Sequence, residues 1–103
     1  MDITHKTADR TLYVSLRGEI DESRAGKIRA ELDALFSAPG LEKAVIDMSG
    51  ITFMDSTGIG MLIGRYKTLK ARRIPLMIAS PSVAADKILS LSGIYDIMPK
   101  IAK

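Results

Sequence analysis

Short strand patterns alternate with amphipathic helix patterns along this chain, and that alternation restricts the fold more than any other feature. Apolar and polar residues alternate from Leu12 to Arg17, which is the period of a half-buried strand. The sequence predicts five strands, at residues 3–6, 12–17, 43–48, 76–79 and 96–98. Gly18 is predicted to end the second strand, and residues 49–55 are predicted to form a loop.

Three helices are predicted between the later strands, each with its apolar residues at helical spacing. Pro39-Gly40 is expected to stop the first helix. Ser80 is expected to cap the third, with Pro81 at its first position and Gly93 at its C-terminal stop. The predicted inner faces are Ala25, Ile28, Leu32, Leu35 and Phe36 in the first helix, Ile59, Leu62, Ile63, Tyr66 and Leu69 in the second, and Ala84, Ile88 and Leu91 in the third.

The resulting order is β-β-α-β-α-β-α-β. Strands separated by helices favour parallel pairing with right-handed crossovers, whereas the first two strands are close enough to form a hairpin. The 103 residues suffice for one core, so residues 1–103 are predicted to form a single α/β domain. Its expected architecture is a mixed, mostly parallel sheet of four or five strands with helices packed on it.

Composition excludes several classes of function. The chain has no cysteine and only one histidine, which argues against thiol catalysis, disulfides and a metal site within the chain. The net charge is only +3, and the one basic cluster, Lys70 to Arg73, is interpreted as a solvated helix end and loop. No apolar stretch reaches the length of a membrane span, and the polar N-terminus is unlike a signal peptide. We therefore expect a cytoplasmic protein without cofactor, metal, nucleic-acid or membrane partner.

Ser56 is the most informative residue, because it stands where a predicted loop meets a helix. It is flanked by Asp55, Thr57 and Gly58, which shield it little. One interpretation is that Asp55 or Ser56 only caps the helix. The other is that Ser56 carries a phosphate, since a helix N-terminus favours an anion. These residues alone leave both interpretations open.

The glycines of the second helix, at positions 58, 60 and 64, each cost about 1 kcal/mol relative to alanine in a helix interior. They indicate a close approach, either to the protein's own sheet or to a partner. They are a poor match to G-x-G-x-x-G, because the last glycine is one position late. Met54 to Gly58 misses the hydrolase pattern G-x-S-x-G by its first glycine, and His5 is a poor candidate for its base.

With these residues in view, the sequence strongly resembles the STAS-domain anti-anti-sigma factors, the bacterial antagonists of anti-sigma factor kinases. The resemblance runs in order and spacing through nearly the whole chain. Its motifs are Gly18-Glu19-Ile20-Asp21, the block from Asp47 to Arg65, Tyr66-Lys67, Ser80-Pro81 and Leu91-Ser92-Gly93.

The resemblance implies a switch rather than an enzyme. Ser56 would be the phosphoacceptor, and the partner would be an anti-sigma factor that is itself a serine kinase. Unphosphorylated antagonist would bind this partner and release the sigma factor; phosphorylation would end the binding, and a serine phosphatase would restore it. Met54 and Ile59 would supply apolar contact surface, and Gly58 and Gly60 would allow close backbone contact. The expected partner surface is Glu19, Asp21, Met54, Asp55, Thr57, Gly58, Ile59 and Gly60.

Two alternatives remain: a STAS module that acts in another partner-switching complex, and a small nucleotide- or anion-binding domain that uses the Ser56 helix start. Thr57 is a secondary acceptor candidate. The resemblance also implies a C-terminal helix after the last strand, which is not found before Lys103. That departure leaves room for self-association, so a monomer or a weak dimer is expected.

Overall fold

The computed structural model describes residues 1–102 and contains one five-stranded sheet with three α-helices. The strands are β1 (Asp2–Ala8), β2 (Thr11–Ile20), β3 (Lys43–Met54), β4 (Leu76–Ala79) and β5 (Lys100–Ile101). The helices are α1 (Glu22–Phe36), α2 (Thr57–Ala71) and α3 (Val83–Ser92), followed by a short 3₁₀ turn at Ile94–Asp96. The element order and the α/β class predicted from the sequence are confirmed.

The strands lie in the order β1-β2-β3-β4-β5. β1 and β2 form an antiparallel hairpin, and every other neighbouring pair is parallel. Asp9 and Arg10 turn the hairpin with positive φ angles of 50° and 63°, the sense that suits a two-residue hairpin loop. The mixed, mostly parallel sheet is therefore as predicted.

The core lies between the helices and the sheet and is formed by aliphatic and methionine side chains. Leu16, Leu32, Ile46, Leu62 and Ile78 are fully buried in it. At about 25 cal/mol per Å² of apolar surface, burial of such side chains is the main source of stability. The inner face predicted for α1 is confirmed, with Leu35 only partly buried. For α2 the prediction is correct only in part: Leu62 and Leu69 are buried, Ile59, Ile63 and Tyr66 are partly buried, and the buried Met61 was missed.

The strands β2 and β3 both continue further than predicted. Gly18 does not end β2; it lies within the strand at φ +119°, where the pairing register with β3 shifts. Such a bulge needs a residue without a side chain. β3 runs on to Met54 instead of ending at Met48, because its second half pairs with the end of β2. The predicted loop at 49–55 was therefore wrong.

Two details at the other helix ends differ from prediction, and a third is confirmed. α1 already ends at Phe36, before Pro39-Gly40. Ser82, not Ser80, caps α3, since its hydroxyl accepts a hydrogen bond from the Ala85 amide at 3.1 Å. The Gly93 stop is confirmed by its left-handed conformation.

The inner face of α3 and the last strand were predicted incorrectly. Ala85 and Leu89 face the core, whereas Leu91 is 81% exposed. Residues 96–98 form no strand, because the 3₁₀ turn displaces the final strand to Lys100–Ile101. The apolar spacing of α3 fits two neighbouring faces, so the spacing alone could not select the buried one.

Two arginines, Arg65 within α2 and Arg72 directly after it, contact the C-terminal part of α1. Arg72 donates to the carbonyl oxygens of Phe36 and Ala38, the latter at 2.8 Å, and so satisfies the C-terminal end of α1. The Arg65 side chain is only 11% exposed, and its Nε lies 2.8 Å from Asp33 Oδ1. The geometry is that of an ion pair rather than an aligned hydrogen bond, and the buried Arg65 Nη1 has no hydrogen-bond partner among residues 1–102. Asp33 is therefore the main compensation for this charge.

Replacing Asp33 with alanine should destabilise the fold by about 1–3 kcal/mol, because it leaves a mostly buried cation without its partner. The matched control is Arg10→Ala, which removes an ion pair whose two side chains are 71% and 66% exposed. That change should cost less than about 0.5 kcal/mol. Urea unfolding followed by circular dichroism measures both; equal effects would contradict this role of Asp33.

Candidate functional site

The parallel pairing of β2 and β3 brings two separate segments of the sequence together. Ile20 lies opposite Met54 at the carboxyl ends of these strands, and the Asp55 amide donates to the Ile20 carbonyl at 3.2 Å. The Glu19–Asp21 turn and the start of α2 are therefore neighbours, as expected. We call the surface formed by Glu19, Asp21, Phe53, Asp55, Ser56, Ile59 and Gly60 the Ser56 surface.

Ser56 is exposed and occupies the cap position of α2, but its side chain makes no capping hydrogen bond. Asp55 does so instead: its Oδ1 accepts from the Thr57 amide at 2.9 Å, and its backbone carbonyl accepts from the Gly58 amide at 3.1 Å. Of the two capping residues considered from the sequence, the cap is thus Asp55. Among residues 1–102 the Ser56 hydroxyl has no hydrogen-bond partner, and the residue is exposed to solvent.

Gly58 and Gly60 have different surroundings, although the same role was predicted for both from the sequence. A Cβ on Gly58 would lie 2.7 Å from the Met54 side chain and 3.1 Å from that of Ile20. Gly58 is buried, so its close approach is to the protein's own sheet and not to a partner. A Cβ on Gly60 would meet nothing within 4 Å. Close backbone contact with a partner therefore stays a prediction for Gly60 and no longer applies to Gly58.

The apolar part of the surface also differs from prediction. Met54 was expected to supply contact area but is 4% exposed, because it points into the core beside Gly58. Its neighbour Phe53 is 47% exposed instead and lies opposite Glu19 in the strand pairing. Phe53 and Met54 are strand neighbours and point to opposite sides of β3, and the register shift between Gly18 and Glu19 places Met54 on the same side as the buried Ile51. Sequence reasoning missed Phe53 because it treated this segment as a loop.

Arg24 partly neutralises the carboxylates of Glu19 and Asp21, a role that the sequence analysis did not predict. Its guanidinium contacts the Asp21 carboxylate and lies 3.4 Å from Glu19 Oε2. Asp21 caps α1 by accepting from the Arg24 amide at 3.1 Å, and it accepts from the Ser23 hydroxyl at 2.7 Å. The Ser23 hydrogen bond, followed by those with Arg24, lowers the pKa of Asp21 below its ordinary value of 3.8. The spacing of an acid and a base three residues apart at a helix start was the available signal.

The single histidine of the chain is not beside Ser56. His5 lies in the middle of β1, opposite Val14, and not at the strand ends that carry Ser56. Within residues 1–102, no group of three or more His, Cys, Asp or Glu side chains could hold a metal ion. In the same part of the chain, no helix is long and apolar enough to cross a membrane.

Comparisons with known proteins agree with this architecture. The STAS domain family profile matches residues 2–103, and the chain belongs to that family. An anti-sigma F factor antagonist of Paenibacillus polymyxa is 30% identical over 88 residues, which cover 85% of this chain and 75% of the relative. An anti-sigma-B factor antagonist of Listeria monocytogenes is 29% identical over 98 residues, covering 95% and 84%.

Solved structures extend the likeness to both states of a switch. The unphosphorylated anti-sigma factor antagonist SpoIIAA superposes with a TM-score of 0.79 at 26% identity, covering 97% of this chain and 88% of SpoIIAA. The phosphorylated form of SpoIIAA from Bacillus gives a TM-score of 0.72 at 25% identity, covering 97% and 91%. Both forms therefore share the fold described here.

Alanine at Gly58 and at Gly60 should have opposite effects on stability. Gly58→Ala should destabilise by about 1–2 kcal/mol, because the new methyl group overpacks against Met54 and Ile20 and outweighs the better helix propensity. Gly60→Ala should stabilise by up to about 1 kcal/mol, since it has open space. Thermal and urea unfolding measure both, and a stable Gly58→Ala protein would contradict the internal packing role.

The Asp21 cap should contribute to the free energy of unfolding at neutral pH and lose that contribution in acid. Because the folded pKa is depressed, the stabilisation is complete above the ordinary value of 3.8 and is lost as the pH falls through the folded pKa. Asp21→Asn should therefore be less stable than the wild type at neutral pH, and the difference in unfolding free energy should narrow as the pH falls below 3.8. Urea titrations at a series of pH values measure this difference, with Glu22→Gln, a change in the same helical turn that keeps the Asp21 cap, as the control; a difference that stays constant with pH would contradict the prediction.

Proposed function

We propose that this chain is an anti-sigma factor antagonist whose binding is switched off by phosphorylation of Ser56. Membership of the STAS family and relatives named as antagonists support the class. The observation that carries the site assignment is the exposed Ser56 hydroxyl, which is free because Asp55 takes over the helix cap. A capping serine would first have to give up its own hydrogen bond before it could react.

The proposed partner is an anti-sigma factor with serine kinase activity, and a separate serine phosphatase resets the switch. Phe53 and Ile59 provide exposed or half-buried apolar area around the acceptor, and Gly60 lets the partner approach the helix backbone. Glu19 and Asp21 add carboxylates for cationic partner residues, which compete there with Arg24. Thr57 begins the helix beside Ser56 and remains a secondary acceptor candidate.

A phosphate on Ser56 would end binding by charge rather than by refolding. It adds nearly −2 next to Asp55, whose carboxylate is already held on the Thr57 amide at 2.9 Å. The first amides of α2 are thus already paired with Asp55 and cannot fully compensate a second anion. The excess negative charge would have to be desolvated against the partner, which is costly. The two forms of SpoIIAA sharing this fold support a switch without rearrangement of the sheet.

The same pairing argues against the nucleotide- or anion-binding alternative, because that function needs unpaired amides at the helix start.

In the proposal the chain is a substrate and not a catalyst, since the ATP and the catalytic groups come from the kinase. It therefore acts in the bacterial cytoplasm, where the kinase and the sigma factor are found. It would act as a monomer or a weak dimer, contacting the kinase transiently through a surface of modest area.

Substitutions at Ser56 test the proposal directly. Ser56→Ala should capture the kinase but accept no phosphate, whereas Ser56→Asp should bind at least about tenfold more weakly because it adds charge beside Asp55. Pull-down with Ser56→Ala as bait identifies the kinase, and calorimetry with the purified kinase measures both affinities.

Thr57→Ala and Ser82→Ala are the matched controls, and each should still be phosphorylated at Ser56 in the presence of the kinase and ATP. Mass spectrometry locates the phosphate. Labelling of Ser82 or Ser90 with Ser56 unmodified would overturn the assignment.

A further inference from the structure

A second surface lies at the other end of α2, remote from Ser56. It is a groove of about 410 Å³ between the last turn of α2, the start of β4 and the segment before β5. We call it the basic groove; it is lined by Tyr66, Lys70, Arg73, Ile74, Pro75, Leu76, Met77, Ile97 and Pro99. Lys70 lies in the last turn of α2, fourteen residues after Ser56, so at about 1.5 Å per residue the charged side of the groove lies roughly 20 Å from Ser56.

The basic groove is mainly apolar inside. Ile74 and Leu76 are buried and form its floor, and Ile97 is 40% exposed at its side. Ile97 follows the 3₁₀ turn that displaced the last strand, which is why this large side chain is not drawn into the core. A single exposed isoleucine is common on protein surfaces and indicates nothing by itself. Here Ile97 adjoins a concave apolar surface, and contiguous apolar surface of this kind is typical of interaction sites.

The charged residues that line the basic groove, Lys70 and Arg73, are both positive. The Lys70 ammonium group lies 5.7 Å from the centre of the Tyr66 ring, and Arg73 is exposed in a left-handed backbone conformation at φ 59°. None of the described residues that line the groove carries a carboxylate. Among residues 1–102, neither Lys70 nor Arg73 forms an ion pair. Two unpaired cations beside an apolar floor complement an apolar segment that carries acidic residues.

We propose that the basic groove binds an acidic amphipathic segment of a partner protein. One or two aliphatic side chains of that segment would lie on Ile74 and Ile97, and its carboxylates would face Lys70 and Arg73. A second copy docked through the exposed apolar residues of α3 fits less well, because Lys87 lies between Val83 and Leu91 on the exposed side. This would give the antagonist a second contact that phosphorylation of Ser56 does not touch.

The test uses the full chain labelled with ¹⁵N and a twelve-residue probe peptide in which leucines at helical spacing are separated by glutamates. The probe should shift the amide resonances of Lys70, Arg73, Ile74 and Ile97, and added salt should weaken its binding. A second peptide with lysine in place of every glutamate should not bind. Charge reversal at both Lys70→Glu and Arg73→Glu should weaken the acidic peptide by about tenfold or more.

Lys67→Glu is the matched control, because it changes the same charge on an exposed position of α2 outside the groove. It should change affinity less than about twofold. Ser56→Ala should leave peptide binding intact, so failure here is separable from failure of the phosphoswitch.

Absence of groove shifts at millimolar acidic peptide, or equal effects of Lys67→Glu and the double reversal, would overturn the proposal. So would sedimentation showing a dimer of the free chain that Ile97→Asp dissociates, since that result assigns the groove to a second copy.

Discussion

The pairing of β2 with β3 at their carboxyl ends is the interaction on which the Ser56 surface depends. It extends both strands to Ile20 and Met54, and the Asp55 amide continues it by one hydrogen bond to Ile20. Without this last stretch of strand pairing, residues 19–21 and the start of α2 would not be held next to each other. The register shifts at Gly18 let β2 follow the long β3 without losing its inward-facing residues. The site is thus held by regular backbone structure up to one residue before Ser56.

Packing beneath the site fixes the helix start to the same strands. Gly58 lies against Ile20 and Met54, so the first turn of α2 is in direct contact with the two strand ends. Asp55 then satisfies the first helical amide. Together these contacts immobilise the backbone around Ser56 while leaving its hydroxyl unbonded. A fixed position for this hydroxyl would reduce the entropy cost of presenting it to the proposed kinase.

The order of elements could be predicted because helical and strand periods differ strongly, and each segment kept one period over its length. The role proposed for Ser56 could be predicted only through the family resemblance, since a cap and a phosphoacceptor have the same local sequence. What failed had common physical causes. Gly18 was a bulge rather than a stop, and β3 continued because a neighbouring strand pairs with it, which no local pattern reveals. The exchange of Met54 for Phe53 followed from that missed strand, because a strand fixes which neighbour points inward.

The distribution of charge along α2 fits the different roles proposed for the two ends of the helix. At its start, Asp55 already occupies the amides that would otherwise welcome an anion, so a phosphate there is poorly compensated. At its end, Lys70 and Arg73 stand beside an apolar groove without carboxylate partners. The distance between the ends, roughly 20 Å, exceeds the screening length of about 8 Å at physiological salt. A phosphate at Ser56 would therefore change the local surface strongly and leave the basic groove almost unaffected, so one end can switch while the other keeps its contact.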